Sequence, residues 1–400
     1  MRYFFRPKIF IPLFILILTL GVAIFLFLLK TKVGDLRPAL FPPSKDLVSE
    51  IEKQKIGENV SIPLKFDTSF KIGVFAKKLG PVRDLQFSPG GTLLASVPAQ
   101  GRVVALPDVD NDGKADKVVN LLTGLNKPHG LAFYQGKLFV AELTKVSRYS
   151  FDEKKLTTSF DKKLFSYPYQ GGHSTRSVVI DKNGVLFVTV GSSCNVCVES
   201  EEWLAGVVVS DTEGRKPRLF AKGLRNSVFL KISPETGKLW GTDMGRDLLG
   251  DNTPKEDINI IKDGGDYGWP FCYENKVHDD KFDPGNNHSC ESTSAPVWSM
   301  QAHSAPLGLN FIDSQQFPDS WQGDMLVAFH GSWNRTVPTG YKIVKLDVKG
   351  SSVISQEDFI TGFLAGSSAL GRPVDLEFDS KGSLFISDDK IGAIYKLVKK

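Results

Sequence analysis

The sequence carries little net charge: 49 lysines and arginines stand against 45 acidic residues, leaving a formal +4. That balance cannot supply the dense phosphate-neutralising surface that nucleic-acid affinity requires, so nucleic acid is set aside as a partner. Cysteine is scarce, four in 400 residues, which excludes a disulfide-built scaffold. Long apolar runs are missing beyond residue 60. Those present are short and close to turn residues, which argues against long helices. What remains is 41% hydrophobic and 24% charged, with 37 glycines, 22 prolines and 28 phenylalanines. That composition excludes disorder and a collagen-like chain and points to an all-β protein.

The first residues are a separate matter. Arg2, Arg6 and Lys8 precede an uncharged run, Ile9 to Leu29, whose 21 residues span about 31 Å as a helix, the thickness of a bilayer's hydrocarbon core. A removed signal peptide has a shorter apolar region and a small-residue exit, whereas this run ends in Lys30-Thr31-Lys32. Residues 1–32 are therefore expected to be an uncleaved transmembrane anchor, with a cleaved signal and a buried core helix as alternatives. Lys30, Lys32 and Arg37 follow the run, so charge only weakly favours a cytoplasmic N-terminus, which sets the body on the extracytoplasmic (periplasmic or cell-surface) side. Residues 33–65, with Pro38, Pro42, Pro43 and the charged Glu50 to Lys55, read as a tether with one short helix.

From residue 66 to 400 one pattern recurs: an apolar strand, a glycine turn, then a second strand. It begins at Val82, Pro128, Thr175, Arg225, Ala305 and Arg372, which makes six units, spaced more widely in the second half. Six such units predict a six-bladed β-propeller with long inserted loops, closed by pairing a strand near Phe70 to Phe75 with the last blade. In a propeller the starts of the innermost strands converge on the axis. The residues there are His129, His173 with Arg176, Arg225 with Asn226, His303 and Arg372, and a neighbouring loop adds His330, Trp333, Asn334 and Arg335. Any one of these is more often a hydrogen-bonded loop residue than a catalyst, yet four of the six histidines fall at these positions.

Seven motifs in one order carry a resemblance: Gly191-Ser192-Ser193-Cys194-Asn195-Val196-Cys197, Gly223-Leu224-Arg225-Asn226, Gly245 to Asp251, Asp266-Tyr267-Gly268-Trp269-Pro270, Ala302 to Gly308, His330 to Arg335, and Gly371-Arg372-Pro373-Val374. With these the chain resembles the pyrroloquinoline-quinone-dependent soluble sugar dehydrogenases, most closely the sorbosone and pyranose dehydrogenase branch. The resemblance implies a six-bladed propeller and hydride transfer from a sugar or sugar aldehyde to a calcium-bound quinone. It implies His173 as the general base, with Arg225 beside it, and Asn226 orienting cofactor or substrate. The cofactor, a flat ortho-quinone with three carboxylates, calls for cations and an aromatic face. Arg225, Arg335 and Arg372 are expected to pair with its carboxylates in bidentate fashion and Trp333 to supply the face, within a pocket also formed by His129, Arg176, His303 and His330. By position the carbonyls of Gly245 and Arg246 match the calcium ligands. Two departures remove positive charge: His330-Gly331 stand where the glucose branch has a lysine, and Val374 where it has an arginine.

A second calcium candidate is Asp108, Asp110, Asp112 and Asp116, carboxylates on alternate residues around Gly113, without the downstream glutamate of a full EF-hand. A solvated acidic hairpin is its alternative. Asp257 with the Tyr267 carbonyl matches another calcium position in relatives. The cysteines allow three pairings; the local ones, Cys194 with Cys197 and Cys272 with Cys290, suit an extracytoplasmic chain, while zinc remains open. No Cys-x-x-Cys-His haem signature occurs, so electrons leave through a separate acceptor, a quinone or a cytochrome. The competing functional class is a non-catalytic propeller that binds a glycan or protein partner. Loop residues 271–300 are expected to set sugar specificity.

Overall fold

In a computed structural model describing residues 10–41, Ser49 and 60–400, six sheets stand round one axis, the first five with their strands in sequence order from the centre outward. The innermost strands are Leu85–Phe87, Leu131–Tyr134, Val178–Ile180, Leu230–Ile232, Pro306–Phe311 and Pro373–Phe378, which head blades one to six. Each turns back through a glycine hairpin. At Gly136 and Gly184 the backbone φ is +75° and +82°, a region in which a Cβ is strained. The sixth blade takes its outer strand from the start of the domain: Phe70–Ala76 pairs antiparallel with Ala393–Lys399, from Phe70 opposite Lys399 to Ala76 opposite Ile394. The expected closure is thus formed, and it covers an edge that the last blade would otherwise expose.

The core lies between neighbouring blades rather than at one centre. Between the fourth and fifth, Trp240, Ile258, Leu309, Met325 and Val344 are buried together, and the Trp240 ring meets Phe311 edge-on at 5.7 Å. Burying such side chains contributes about 1.5–3 kcal/mol each, which fixes the angle between blades and so the placement of their loops.

Three long connections, 191–205, 244–255 and 330–341, join the second and third strands of blades three, four and five at one end of the axis. This end is called the top. The fourth blade also carries an insert, 262–297, that pairs Gly265–Asp266 in parallel with the outer strand of blade three. The two local disulfides form: Cys194–Cys197 within the first loop and Cys272–Cys290 across the insert. With their sulfurs bonded to each other, the four cysteines are not zinc ligands.

Helix α1 runs over Phe10–Val33 and a single turn, α2, over Arg37–Leu40. Among the described residues no helix is long and apolar enough to cross a membrane; the described side chains of α1 reach only from Ile15 to Leu28. Arg2, Arg6, Lys8, Pro42, Pro43 and the Glu50 to Lys55 stretch lie outside the described residues.

Candidate active site

The polar residues at the blade entrances are linked into a ring at the top. His129 is buried, with Nδ1 3.2 Å from the Arg176 carbonyl and its ring 5.2 Å from that of Phe229. Arg176 is fully buried; Nη1 donates to the carbonyls of His173 (2.9 Å) and Thr175 (2.7 Å), Nε donates to Leu143, and Nη2 has no partner. Its guanidinium lies 5.7 Å from the ring of Tyr167 and 5.9 Å from that of Tyr169.

At His173 the hydrogen bonds decide the tautomer. Nδ1 lies 2.9 Å from Ser192 Oγ and 3.1 Å from the Ser192 carbonyl. The Ser192 hydroxyl donates to the Cys194 carbonyl at 2.7 Å, so toward the imidazole both Ser192 oxygens accept. Nδ1 must therefore carry the proton, leaving Nε2 as a free lone pair. Burial, and then the charge of Arg225, lowers the His173 pKa to about 3, so the ring is neutral. The close approach of this histidine depends on Gly191, where a Cβ would lie 2.7 Å from His173 Cβ and 3.1 Å from Asn226 Oδ1.

Arg225 is the tie between loops. Nε donates to the Asn195 carbonyl (2.9 Å), Nη2 to Asn195 Oδ1 (2.9 Å) and Asp247 Oδ2 (3.0 Å), and Nη1 to the carbonyls of Gly245 (2.8 Å) and Met244 (3.3 Å). All five N–H groups are thereby held by protein oxygens, which corrects the expected bidentate pairing of Arg225 with a ligand carboxylate. Asp247 also accepts from Asn334 Nδ2 at 2.9 Å, joining blade four to the 330–341 loop. Behind them, half-buried Asp243 accepts from the backbone N–H of Asn226 and Arg225, and its pKa rises to about 7 through removal of its carboxyl from water.

The remaining expected residues divide. Arg372 is half-buried, its guanidinium 5.7 Å from the centre of the Tyr341 ring, donating from Nε to the His330 carbonyl (3.1 Å) and from Nη2 to the Gly331 carbonyl (3.0 Å). Arg335 reaches Asn252 with Nη2 at 2.9 Å and keeps its Nε unpaired, while Trp333 is 40% exposed at the rim. His330 and His303 are committed elsewhere. His330 Nε2 lies 2.9 and 3.0 Å from the two carboxylate oxygens of Asp389, and His303 Nε2 binds the Gly250 carbonyl at 2.8 Å. Both correct the expectation of a cofactor-facing imidazole: His303 pins the 244–255 loop, and His330 belongs to an ion cluster completed by Arg83, whose Nη1 meets Asp389 at 2.7 Å. Burial first, and then the charge of Arg83, holds the His129 pKa well below the usual histidine range. Val374, standing where a second cation was lacking, is core, and Arg83 supplies a positive charge from another blade instead.

Sequence reasoning missed Arg83, Asn195, Asp247 and Asp389. Asn195 and Asp247 sit inside quoted motifs as single polar residues in glycine-containing loops, which was a usable signal. Arg83 and Asp389 carried none, because they meet only through closure of the ring between blades six and one.

As for metals, the Gly245 carbonyl already accepts from Arg225, and the Arg246 carbonyl accepts no hydrogen bond among the described residues. The Arg246 side chain pairs with buried Asp279 at 2.7 Å. At the opposite end of the axis, carboxylate oxygens of Asp108, Asp110 and Asp112 lie within 4.8 Å of one another. Asp116 falls outside this group and accepts from the Val109 N–H at 2.8 Å, which corrects its inclusion among the ligands. Asp257 accepts from Ser299 Oγ at 3.1 Å, and the Tyr267 carbonyl accepts no hydrogen bond among the described residues.

Residues 64–400 match the family model described as TrAA12-like. An uncharacterised protein of Borreliella burgdorferi is 30% identical over 71% of this chain and 79% of its own length. A pyrroloquinoline-quinone-dependent pyranose dehydrogenase of Coprinopsis cinerea is 23% identical over 82% of this chain, which spans only 53% of that enzyme's length. The calcium structure of a Trichoderma reesei carbohydrate-active enzyme of family AA12 superposes with a TM-score of 0.76 at 21% identity, covering 86% of this chain and all of that one, a likeness of fold.

Proposed function

The chain belongs to the TrAA12-like family, and from that premise we propose that it is a sugar oxidoreductase that uses pyrroloquinoline quinone and calcium. The observation that carries this reading is a neutral imidazole with a free Nε2 set in a ring of arginines from separate blades. The donors fit an anionic planar cofactor: Arg176 Nη2 and Arg335 Nε are buried N–H groups without partners, Arg372 adds charge, and Trp333 offers a face. Calcium suits the Arg246 carbonyl and the second lone pair of the Gly245 carbonyl. When bound, the quinone supplies a hydride-accepting carbon and calcium a Lewis acid at its carbonyl oxygen.

The chain's own residues do the rest. His173 Nε2 takes the proton of the sugar hydroxyl, or of the hydrated aldehyde, as the hydride departs, and Ser192 holds the Nδ1–H so that the lone pair keeps its aim. A pKa near 3 makes a poor base; a ligand carboxylate on the unpartnered Nη2 of Arg176 offsets part of the positive charge that, after burial, holds it down. Asn226, whose amide oxygen lies beside Gly191 near His173, orients the substrate. Arg225 acts as a positioning residue through Asn195 and Asp247. A second calcium is proposed at Asp108, Asp110 and Asp112, and α1 as a membrane anchor that holds the propeller on the extracytoplasmic side, where a quinone or cytochrome accepts the electrons.

The test is sugar-dependent dye reduction by purified protein after addition of quinone and calcium. Activity is expected, and a His173→Ala variant should lose about 10²–10⁴-fold in turnover while keeping the bound-cofactor absorbance. No reduction and no cofactor spectrum would end the dehydrogenase reading.

A further inference from the structure

The segment that follows α1 is bonded to the site face. Helix α1 ends at Val33, and the Asp35 N–H donates to the Arg335 carbonyl at 2.6 Å. Gly34 makes this possible, because a Cβ there would fall 2.3 Å from the backbone of Arg335. The buried Asp35 carboxylate is clasped by Arg37 (2.8 Å from Nε, 2.6 Å from Nη2), and Arg37 Nη2 reaches Ser367 at 2.9 Å. Lys390 Nζ donates to the Pro38 carbonyl at 3.0 Å. Two residues extend at most about 7 Å, so the end of α1 stands close to the loop that carries Trp333.

Large apolar side chains are left in water singly at Val109, Phe160 and Ile354, and as a group at this end. Leu40, Phe41, Leu248, Trp333 and Val337 are all exposed, Val337 by 69%. Their loops are bonded to one another: Thr336 N–H to Asp251 Oδ1 at 2.9 Å, and Asn334 to Asp247. The described side chains of α1 from Ile15 to Leu28 are exposed as well. Apolar residues on the rim of a fold, continuous with an apolar helix, match what an interfacial surface presents to lipid.

We propose that the top face of the propeller, with the mouth of the ring site, rests on the bilayer surface from which α1 emerges, Leu40, Phe41, Leu248 and Val337 lying at the headgroup boundary. This rests on reading α1 as a membrane anchor. The site then opens toward the membrane plane, and small sugars enter from the side.

The experiment uses the full chain in phosphatidylcholine vesicles, with a fluorophore on Val337→Cys at the top or on Val109→Cys, which is 78% exposed in the loop at the opposite end. Acyl-chain-brominated phosphatidylcholine should quench the Val337 label several-fold more than the Val109 label, since interfacial side chains sit about 5–10 Å into the headgroup and acyl boundary. Co-flotation with vesicles reports the anchor independently. A chain that floats with both labels equally unquenched overturns the docked face while leaving the anchor; a chain that stays at the bottom overturns both. Retained dye reduction by the two labelled proteins separates either outcome from misfolding.

Discussion

A single serine governs which nitrogen of His173 is free. Removing its hydroxyl in Ser192→Ala leaves only the carbonyl at 3.1 Å to hold the Nδ1 proton. Turnover should fall by up to about tenfold, the worth of one net hydrogen bond, with cofactor absorbance retained; an unchanged rate would mean the carbonyl alone sets the tautomer. The same burial that keeps His173 neutral has a cost in acid. Its pKa falls from 6.5 to about 3 on folding, and that of His330 to about 4, for which burial comes first and then Arg372. Between those values and 6.5 the folded chain binds fewer protons than the unfolded one, so these groups make stability drop as pH falls through that window. His173→Gln should flatten the acid-side decline in melting temperature, and a steeper decline would contradict the assigned neutral state.

At the scale of elements, the site is assembled by close contact between three loops, and Gly191 is where the contact is tightest. Gly191→Ala would drive a methyl against the Cβ of His173 and the amide of Asn226. A loss of about 1–3 kcal/mol in unfolding free energy is expected, together with loss of turnover, because the nearest atom is the Cβ of His173, which cannot move without its own backbone. Denaturant unfolding and dye assays on the same preparation check it; a stable, active variant would show that the loop can yield. Arg225 explains why these loops hold their places without regular structure: one planar fork satisfies four carbonyl or amide oxygens and a carboxylate across 195 and 244–247. That network was only half legible in the sequence. The motifs containing Asn195 and Asp247 stood out, yet a motif does not say that an arginine is spent on protein rather than ligand.

For the molecule as a whole, closure is the decisive act, since Phe70–Ala76 must find Ala393–Lys399 at the far end of the chain. A fragment of residues 60–400 should fold to a β-rich monomer, whereas residues 78–400, lacking the closing strand, should expose an edge and aggregate. Circular dichroism with size-exclusion chromatography distinguishes them, and a monomeric, cooperatively folded 78–400 fragment would refute the role of the strand. By itself the sequence determined the six-unit architecture and the closing strand, because strand alternation and hairpin glycines are local patterns repeated along the chain. Only the tertiary structure decided that His303 and His330 are structural, that Arg83 joins the site, that Asp116 leaves the acidic cluster, and which nitrogen of His173 is free. Each of these depends on which groups from distant blades come within hydrogen-bond reach, and that is set by the packing of whole sheets around the axis rather than by any neighbouring residue.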